Sequence, residues 1–400
     1  MAASNAPLRT LFLSSCVLGG GAGWSLYYLL RHLDRTLVDP LVVVPERGIF
    51  GTRFDALGLR VEPAARLHHR TAELRFSTRN RATAALSFAW NVWDSARLVP
   101  QLAHLMRREK TQLLYCNNMM VKAIGALASQ LAGVPCVFHV RNLHQQWAKV
   151  KLYGNLARLP RVRRVIANSE ASAVPYRRYV PGKVTVVHNG IDLAEYHPEV
   201  TPRGSLRRQL GISPDATVVG FTGFITPRKG LLPLIEAAAR LLATRPTLVF
   251  VVVGRVPVGA PVDHQAEYQA RARELGIADR FLFAGFREDV RPAVVDFDLL
   301  VLPSFQEPFG RSIIEAMALG TPVVASRVGG IPEILTDGAD GLLVAPGDVA
   351  GLAQAIAALV DDRERRRSLA QAALARARTS FDVSVLSARI QALLLEAAAA

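Results

Sequence analysis

Short apolar runs alternate with helical stretches along this chain, and this alternation limits the possible folds more than any other feature. In the first half the runs predict strands at TLFLSSC, PLVVVP, GLRVEP, QLLYCNN, VPCVFHV, VRRVIANS and KVTVVHN. In the second half they predict strands at TVVGFTGF, TLVFVVVGR, RFLFAGF, LLVLPS, TPVVAS and GLLVAP. Strands that alternate with helices form parallel sheets covered by helices. The sequence therefore predicts two similar α/β domains with a cleft between them.

The chain length of 400 residues also favours two domains over one. The segment 189–204, NGIDLAEYHPEVTPRG, is rich in turn residues and predicts the boundary. We expect a first domain over residues 1–192 and a second over residues 193–379. The last residues, about 380–400, predict a final helix, and this helix could pack back on the first domain.

A run of twenty uncharged residues near the start of the chain, Leu11–Leu30, is long enough to cross a membrane as a helix. Four glycines interrupt the run at its centre, at positions Gly19, Gly20, Gly21 and Gly23. A signal peptide is the other alternative, but no clean cleavage site follows the apolar block. We therefore predict a strand, a glycine loop and a helix.

The positive charge is concentrated in the first half of the chain. Residues 1–190 hold 26 Lys and Arg against 9 Asp and Glu, whereas residues 191–400 hold 22 against 24. All four tryptophans also lie in the first half. A basic half of this kind indicates an anionic partner, such as a phosphate-bearing lipid, a membrane surface or a nucleic acid. Because no nucleic-acid-binding motif appears, we expect no nucleic-acid partner.

The stretch 66–110 stands apart from the strand–helix alternation. Its first part carries five arginines, Arg66, Arg70, Arg75, Arg79 and Arg81. Its later part predicts a helix with Leu86, Trp90 and Trp93 near one face. One interpretation is a core helix that follows a solvated loop, and the other is an amphipathic element that leans on a membrane.

Two glutamates flank a break in regular structure within SFQEPFGRSIIEAMALG. Glu307 lies in a loop at the carboxyl end of the predicted strand LLVLPS, and Glu315 lies about one turn inside the following helix. Ligands of open parallel sheets bind at this edge, so the two carboxylates could hold the hydroxyls of a sugar or a ribose. The alternative is structural: Ser312 and Glu315 fit a capping box, and Glu307 could be a solvated loop residue.

Two cations, Arg228 and Lys229, lie in a loop between a predicted strand and helix in GFITPRKG. Cationic side chains at a helix start can neutralise a diphosphate. Asp296 and Asp298 form a D-x-D pair of the kind that can hold a metal ion, but they precede a predicted strand, and we interpret the match as chance. His68 and His69 have no third ligand nearby in sequence. We expect no metal site.

Together, GFITPRKG, VTVVHNGID, RVIANSEASA and the 42 residues from EPFGRS to APGD resemble glycosyltransferase family 4. This is a family of retaining, sugar-nucleotide-dependent transferases of the GT-B fold, in which two Rossmann-like parallel-sheet domains face each other across a cleft. The similarity spans nearly the whole chain and is strongest over residues 160–350.

The resemblance implies roles for single residues. The implied donor-binding residues are Gly20, Gly21, Arg228, Lys229, Glu307, Phe309, Gly310 and Glu315. Glu307 would hold sugar hydroxyls with help from the backbone N–H groups of Phe309 and Gly310, Glu315 would hold the ribose, and the two cations would hold the diphosphate. The glycine loop would approach the donor from the other domain.

The chain departs from the family pattern at two places. Phe224 stands where the family often has an arginine after the glycine of the phosphate motif, and Arg228 could supply that charge. Arg141 and Asn142 stand where the family often has a His-Asp pair, with His139 two residues earlier. The resemblance implies catalytic roles for His139, Arg141 and Glu307, and it leaves open whether His139 or Arg141 contacts the donor.

The function implied is a metal-independent, retaining transfer of a sugar from a nucleoside-diphosphate sugar to a lipid-linked or cell-envelope glycan acceptor, without a further cofactor. Three cysteines without a CxxC motif indicate a reduced compartment, so we expect a cytoplasmic protein on the inner face of the cell membrane, bound to its anionic surface. The alternatives are a sugar-nucleotide epimerase or other GT-B enzyme, and a non-catalytic membrane or nucleic-acid binder.

Overall fold

The computed structural model describes residues 6–16, 20–46, 48–64, 96–143, 147–258 and 260–400. The chain forms two compact units, Met1–Gly190 together with Val383–Ala400, and Ile191–Asp382. The predicted boundary after residue 192 lies two residues from this division. Several residues considered in the sequence lie outside the described ranges: the five arginines from Arg66 to Arg81, His68, His69, Leu86, Trp90 and Trp93.

The described part of the first unit is built on a seven-stranded parallel sheet of order β3-β2-β1-β4-β5-β6-β7. Its strands are β1 Leu8–Leu13, β2 Val38–Val44, β3 Arg60–Pro63, β4 Leu113–Cys116, β5 Cys136–Val140, β6 Val162–Ala167 and β7 Val184–Val186. Its helices are α1 Gly21–Arg31, α2 Gly48–Ala56, α3 over residues 96–108, α4 Met119–Ala132, α5 Trp147–Arg158 and α6 Glu170–Arg177, with a 3-10 turn at Pro181–Lys183. Each strand falls on an apolar run that predicted it.

The second unit has a six-stranded parallel sheet of order β10-β9-β8-β11-β12-β13 in its described residues. The strands are β8 Thr217–Phe224, β9 Leu248–Arg255, β10 Phe281–Gly285, β11 Leu299–Leu302, β12 Val323–Ser326 and β13 Leu342–Val344. The helices are α7 Ser205–Gln209, α8 Leu231–Leu242, α9 His264–Glu274, α10 Arg291–Val294, α11 Arg311–Ala318, α12 Ile331–Ile334, α13 Val349–Asp361 and α14 Arg363–Ser380, with a 3-10 turn at Pro227–Lys229.

The last helix of the chain, α15 Val383–Ala399, belongs to the first unit. Successive side chains of β1 point to opposite faces of the sheet, so Leu11 and Phe12 enter different apolar cores. Ile390 and Leu394 of α15 pack into the core that holds Phe12. The helix therefore covers one face of the first sheet.

The strand order reverses direction at one place in each sheet. In the first unit the reversal lies between β1 and β4, and in the second between β8 and β11. The loops that leave the carboxyl ends of the strands on either side of such a point diverge and leave a crevice, where ligands of open α/β sheets bind. The glycine loop follows β1, the Pro227–Lys229 turn follows β8, and the loop with Glu307 follows β11.

The interrupted apolar run 11–30 forms β1 and α1, as predicted, although α1 begins inside the glycine run, at Gly21. Within the described ranges, no helix is both long and apolar enough to cross a membrane.

Asp296 and Asp298 lie at the amino end of β11, which is the opposite end from the predicted site. The Asp296 carboxylate accepts a hydrogen bond of 2.8 Å from the backbone N–H of Leu206 in α7. Asp298 accepts from the backbone N–H of Val218 at 2.8 Å and from the Arg207 guanidinium at 2.7 Å. These carboxylates therefore fasten α7 and the first residues of β8 to the amino end of β11.

One lysine lies inside the first unit without compensation. Lys122 of α4 is fully buried, and its Nζ has no hydrogen-bond partner in the part of the chain that the structure describes. Burial is the main cause of a pKa of about 7 for Lys122; Cys116 and Cys136 oppose the shift, and the nearby charge of Arg141 adds to it. The buried amine is therefore largely neutral above neutral pH.

Replacing Lys122 tests this burial. Because the unfolded lysine keeps its proton up to about pH 10, the cost of burying the amine is fully present below pH 7 and declines as the pH rises to 10. We expect Lys122→Met to raise the free energy of unfolding more at pH 6.5 than at pH 9, by ~3 kcal/mol. Urea titrations at the two pH values measure it. The exposed Lys151→Met is the control, and an equal gain at both pH values would contradict the expectation.

Candidate functional site

In the second unit, the turn after β8 is packed against the loop after β11. Gly230 has a φ of 72°, and a Cβ at this position would lie 1.9 Å from the carbonyl oxygen of Pro303, so only glycine fits. The backbone N–H of Phe305 donates to the carbonyl oxygen of Arg228 at 2.8 Å. The turn that carries both predicted phosphate-binding cations is therefore held at the start of the loop that carries Glu307.

Lys229 and Glu307 form an ion pair across these two loops. Their side chains are only 13% and 9% exposed. A lysine ammonium has three N–H donors, so one bond to Glu307 leaves two for a second acceptor. Arg228 is exposed, and its guanidinium makes no ion pair with any described residue. The structure thus brings together a predicted sugar-binding carboxylate and both predicted diphosphate-binding cations.

Glu315 lies on the inner part of α11. Its carboxylate accepts a hydrogen bond of 2.8 Å from Arg311 Nε, and both side chains are about one tenth exposed. Burial raises the pKa of Glu315, while Arg311 and the hydroxyl of Tyr196 stabilise the charged form. The N-cap of α11 is Gly310, which makes Glu315 the fifth helical residue. The capping-box interpretation is therefore wrong.

Phe309 and Gly310 connect Glu307 to α11. The Phe309 ring is buried and meets the ring of Phe381 edge-on at 6.0 Å. Gly310 has a φ of 116°, and a Cβ there would lie 3.0 Å from Ile313 Cδ1. The buried ring and the positive φ of the glycine hold the backbone between Glu307 and Glu315 in one conformation.

The first unit presents its own group of predicted residues. Gly20 has a φ of 103° and caps α1, which begins at Gly21. The single hydroxyl hydrogen of Ser25 is shared between the carbonyl oxygen of Gly21 at 2.7 Å and Asn189 Oδ1 at 3.2 Å. Arg141 Nη1 donates to the same Asn189 oxygen. Asn189 therefore joins the described end of the glycine loop to Arg141, while Gly19 lies outside the described residues.

His139 and Arg141 lie side by side at the carboxyl end of β5. Arg141 Nη2 is 3.1 Å from His139 Nδ1, and the Tyr115 hydroxyl also contacts Nδ1. Burial, followed by the charges of Arg141 and Lys122, holds the pKa of His139 well below its usual value. His139 is therefore neutral at physiological pH. His139 and Arg141 line a small cavity of the first unit, which is also lined by Ser25, His188 and Asn189.

Three residues of these groups were not singled out from the sequence: Tyr115, Asn189 and Tyr196. Asn189 belongs to the VTVVHNGID motif, which could have indicated it. Tyr115 and Tyr196 lie in an apolar run and in a turn-rich segment, and nothing local marks them. Both are recognised only from their contacts with His139 and Glu315. Among the described residues, no cluster of three or more His, Cys, Asp or Glu could hold a metal ion.

Two family models match the chain. The model described as "Glycosyl transferases group 1" matches residues 202–376, and "Glycosyltransferase Family 4" matches residues 19–195. The first match lies within the second unit and contains the turn after β8, Glu307 and Glu315; the other match covers the first unit from residue 19 and ends five residues beyond it.

Curated glycosyltransferases are also similar in sequence to this chain. The lipopolysaccharide core biosynthesis mannosyltransferase LpsB of Rhizobium meliloti is 30% identical over 294 residues, which are 73% of this chain and 75% of that protein. The D-inositol 3-phosphate glycosyltransferase 2 of Catenulispora acidiphila is 35% identical over 279 residues, which are 63% of each chain. The chain spans about half of the corresponding Kribbella flavida protein, with 37% identity over 222 residues.

Solved structures match over nearly the whole length of the chain. Anabaena Alr3699/HepE in complex with UDP and glucose is 28% identical, with a TM-score of 0.79, and the match covers 97% of this chain and 99% of that one. The sucrose-phosphate synthase of Thermosynechococcus elongatus, at 20% identity and a TM-score of 0.78, shares the fold over 97% of this chain and 98% of that one. The predicted GT-B class, with two Rossmann-like units, is confirmed. The family matches on both units and the extended similarity to LpsB show that the chain belongs to glycosyltransferase family 4.

Proposed function

We propose that this protein is a retaining glycosyltransferase that transfers a sugar from a nucleoside-diphosphate sugar to an acceptor. The observation that carries the proposal is the buried ion pair of Lys229 and Glu307 at the point where the strand order of the second sheet reverses. A cation and an oxygen acceptor in contact match the two neighbouring parts of such a donor, its diphosphate and its sugar hydroxyls. The solved Anabaena relative binds UDP and glucose.

The cations of the second unit would stabilise the leaving group. When the bond from the sugar to the diphosphate breaks, negative charge develops on the phosphate oxygens, and preorganised cations lower the barrier. Lys229 Nζ is held by Glu307, and Arg228 lies exposed beside it. No metal or further cofactor is needed for this role, because the two side chains supply the positive charge.

The two glutamates would bind the donor on either side of the diphosphate. Glu307 would accept hydrogen bonds from sugar hydroxyls, and Glu315 would accept them from the ribose. Because Lys229 already neutralises Glu307, we assign Glu307 to binding and not to nucleophilic attack on the sugar. Transfer would retain configuration by attack on the same face, with the departing phosphate taking the proton of the acceptor hydroxyl.

The acceptor is proposed to be a lipid-linked or cell-envelope glycan, with the enzyme bound at the inner face of the membrane. The excess of cations in residues 1–190 supports this. The described helix α5 also exposes 73% of Trp147 and 51% of Leu152, with Lys151 Nζ 5.1 Å from the Trp147 ring. Aromatic and basic side chains together suit the interface of an anionic bilayer.

A first prediction concerns Glu315. We expect Glu315→Gln to weaken UDP binding roughly 10- to 100-fold, because a carboxylate that accepts hydroxyl hydrogen bonds is lost. Calorimetric titration with UDP measures the change. Asp340→Asn is the matched control, since it breaks another buried carboxylate–arginine pair of the second unit, with Arg376 at 2.8 Å. Equal loss of UDP affinity in both variants would contradict the ribose-binding role.

A second prediction concerns Lys229. We expect Lys229→Met to weaken UDP binding at least ~10-fold and to leave uridine binding unchanged, because uridine lacks the diphosphate. The single variant leaves the buried Glu307 carboxylate unpaired and so costs stability. The double variant Lys229→Met with Glu307→Gln should recover stability but not UDP affinity. Binding that is abolished by a chelator and restored by a divalent metal would refute metal independence.

A third prediction concerns the membrane. The fraction of protein that sediments with anionic vesicles should decrease as salt is added. It should also decrease when Arg75, Arg79 and Arg81 are changed to serine, and in a second variant in which Trp147 and Lys151 are changed to serine. The matched control changes three exposed arginines of the second unit, Arg363, Arg365 and Arg367, to serine. Equal recovery with neutral and anionic vesicles, or none with either, would favour a soluble acceptor.

A further inference from the structure

The contacts of His139 identify which of its ring nitrogens carries the proton. Nδ1 lies 3.1 Å from Arg141 Nη2. A guanidinium has only N–H donors, so Nδ1 must be the acceptor. The proton of the neutral ring is therefore on Nε2, and Nε2 has no hydrogen-bond partner in the described part of the chain.

The Tyr115 hydroxyl also contacts this nitrogen, so Tyr115 and Arg141 share the single lone pair of Nδ1. Arg141 also donates to the Tyr115 oxygen, so the hydroxyl hydrogen is available for Nδ1. Burial raises the pKa of Tyr115 to about 12, which keeps the hydroxyl protonated. The Tyr115 ring packs on Phe12 at 5.0 Å and is fully buried, so the hydroxyl is fixed in place.

The charges that face His139 act in the same direction. Arg141 lies just beyond the end of β5 and Lys122 faces it from α4, and both lower the pKa of His139 beyond the effect of burial. Asn189, close to the end of β7, holds the Arg141 guanidinium through its side-chain oxygen. Together with Tyr115 on β4, these groups favour the uncharged imidazole.

We infer that Tyr115 is a positioning residue, which together with Arg141 holds His139 as an imidazole that offers its Nε2–H to an oxygen atom of the substrate. The inference rests on the proposed function, because a glycosyl donor and a glycan acceptor both present hydroxyl oxygens. His139 lines the small cavity of the first unit, and its ring contributes the donor that the described residues leave unused. His139 then binds substrate and moves no proton.

The proton position can be read directly on the whole protein. In protein labelled with nitrogen-15 at histidine, the two ring nitrogens of each tautomer give different shifts, and His139→Gln assigns the signal among the nine histidines. We expect His139 to carry its proton on Nε2 and not to titrate between pH 6 and 8.5. A proton on Nδ1, or a ring that is charged near neutral pH, would overturn the inference.

The role of Tyr115 is tested by Tyr115→Phe, which keeps the buried ring and removes only the hydroxyl. We expect an Nδ1–H population of His139 to appear in the nitrogen spectrum and the transfer rate to fall roughly five- to tenfold. Tyr176→Phe is the matched control, because Tyr176 is an equally buried tyrosine of the first unit. A nitrogen spectrum of Tyr115→Phe identical to that of the unchanged protein would overturn the positioning role.

Substitution of His139 itself separates donation from proton transfer. A glutamine places its amide N–H close to the position of Nε2, whereas an asparagine reaches only the position of Nδ1. We expect His139→Gln to retain about tenfold more transfer than His139→Asn, and equal inactivity of both would contradict the donor role. The nitrogen spectra need no substrate, so the expected tautomer without any sugar transfer would count against the proposed function and leave the Tyr115 contact supported.

Discussion

The ion pair between Lys229 and Glu307 is the interaction on which the second unit's site depends. It joins two loops that leave adjacent strands, β8 and β11, at the point where the strand order reverses. Removing two charges from water is costly, and their attraction compensates only when the geometry is held by the surroundings. The surroundings here are rigid, because Gly230 lets one loop approach the backbone of Pro303 and Phe309 buries its ring behind the other. The Lys229 ammonium is thus held in one position by the packing of the two loops.

The first unit holds a buried cation of its own. Arg141 is 8% exposed, and its guanidinium contacts Asn189, His139 and Tyr115. Its positive charge lowers the pKa of His139 and opposes the charging of Lys122. The imidazole of His139 and the guanidinium of Arg141 thus lie side by side and line the same small cavity.

Much of this architecture was predictable because it depends on local patterns. Every described strand coincides with a predicted run. The two cations follow β8 and the two glutamates follow β11, so strand order alone predicts that all four lie at the same edge of the sheet. The contacts that give those residues their chemistry are non-local. Tyr115 and His139 are 24 residues apart, and Lys229 and Glu307 are 78 apart. Sequence patterns do not reveal contacts between residues so far apart. The sequence therefore predicted the residues of the candidate site but not the hydrogen bonds between them. The capping-box interpretation failed for a related reason: whether Glu315 could cap depended on where α11 begins, and the positive φ of Gly310 sets that start.

The two aspartates before β11 show how strand direction separates similar motifs. Asp296 and Asp298 and the pair Glu307 and Glu315 are all carboxylates close to one strand, yet the first two precede it and the others follow it. At the amino end of β11, the aspartate oxygens accept from backbone N–H groups of α7 and β8, and Asp298 also pairs with Arg207. At the carboxyl end, the loops diverge, and the glutamates pair with Lys229 and Arg311. The direction of β11 thus places the two aspartates where neighbouring backbone fills the space and the two glutamates at the end where the crevice opens.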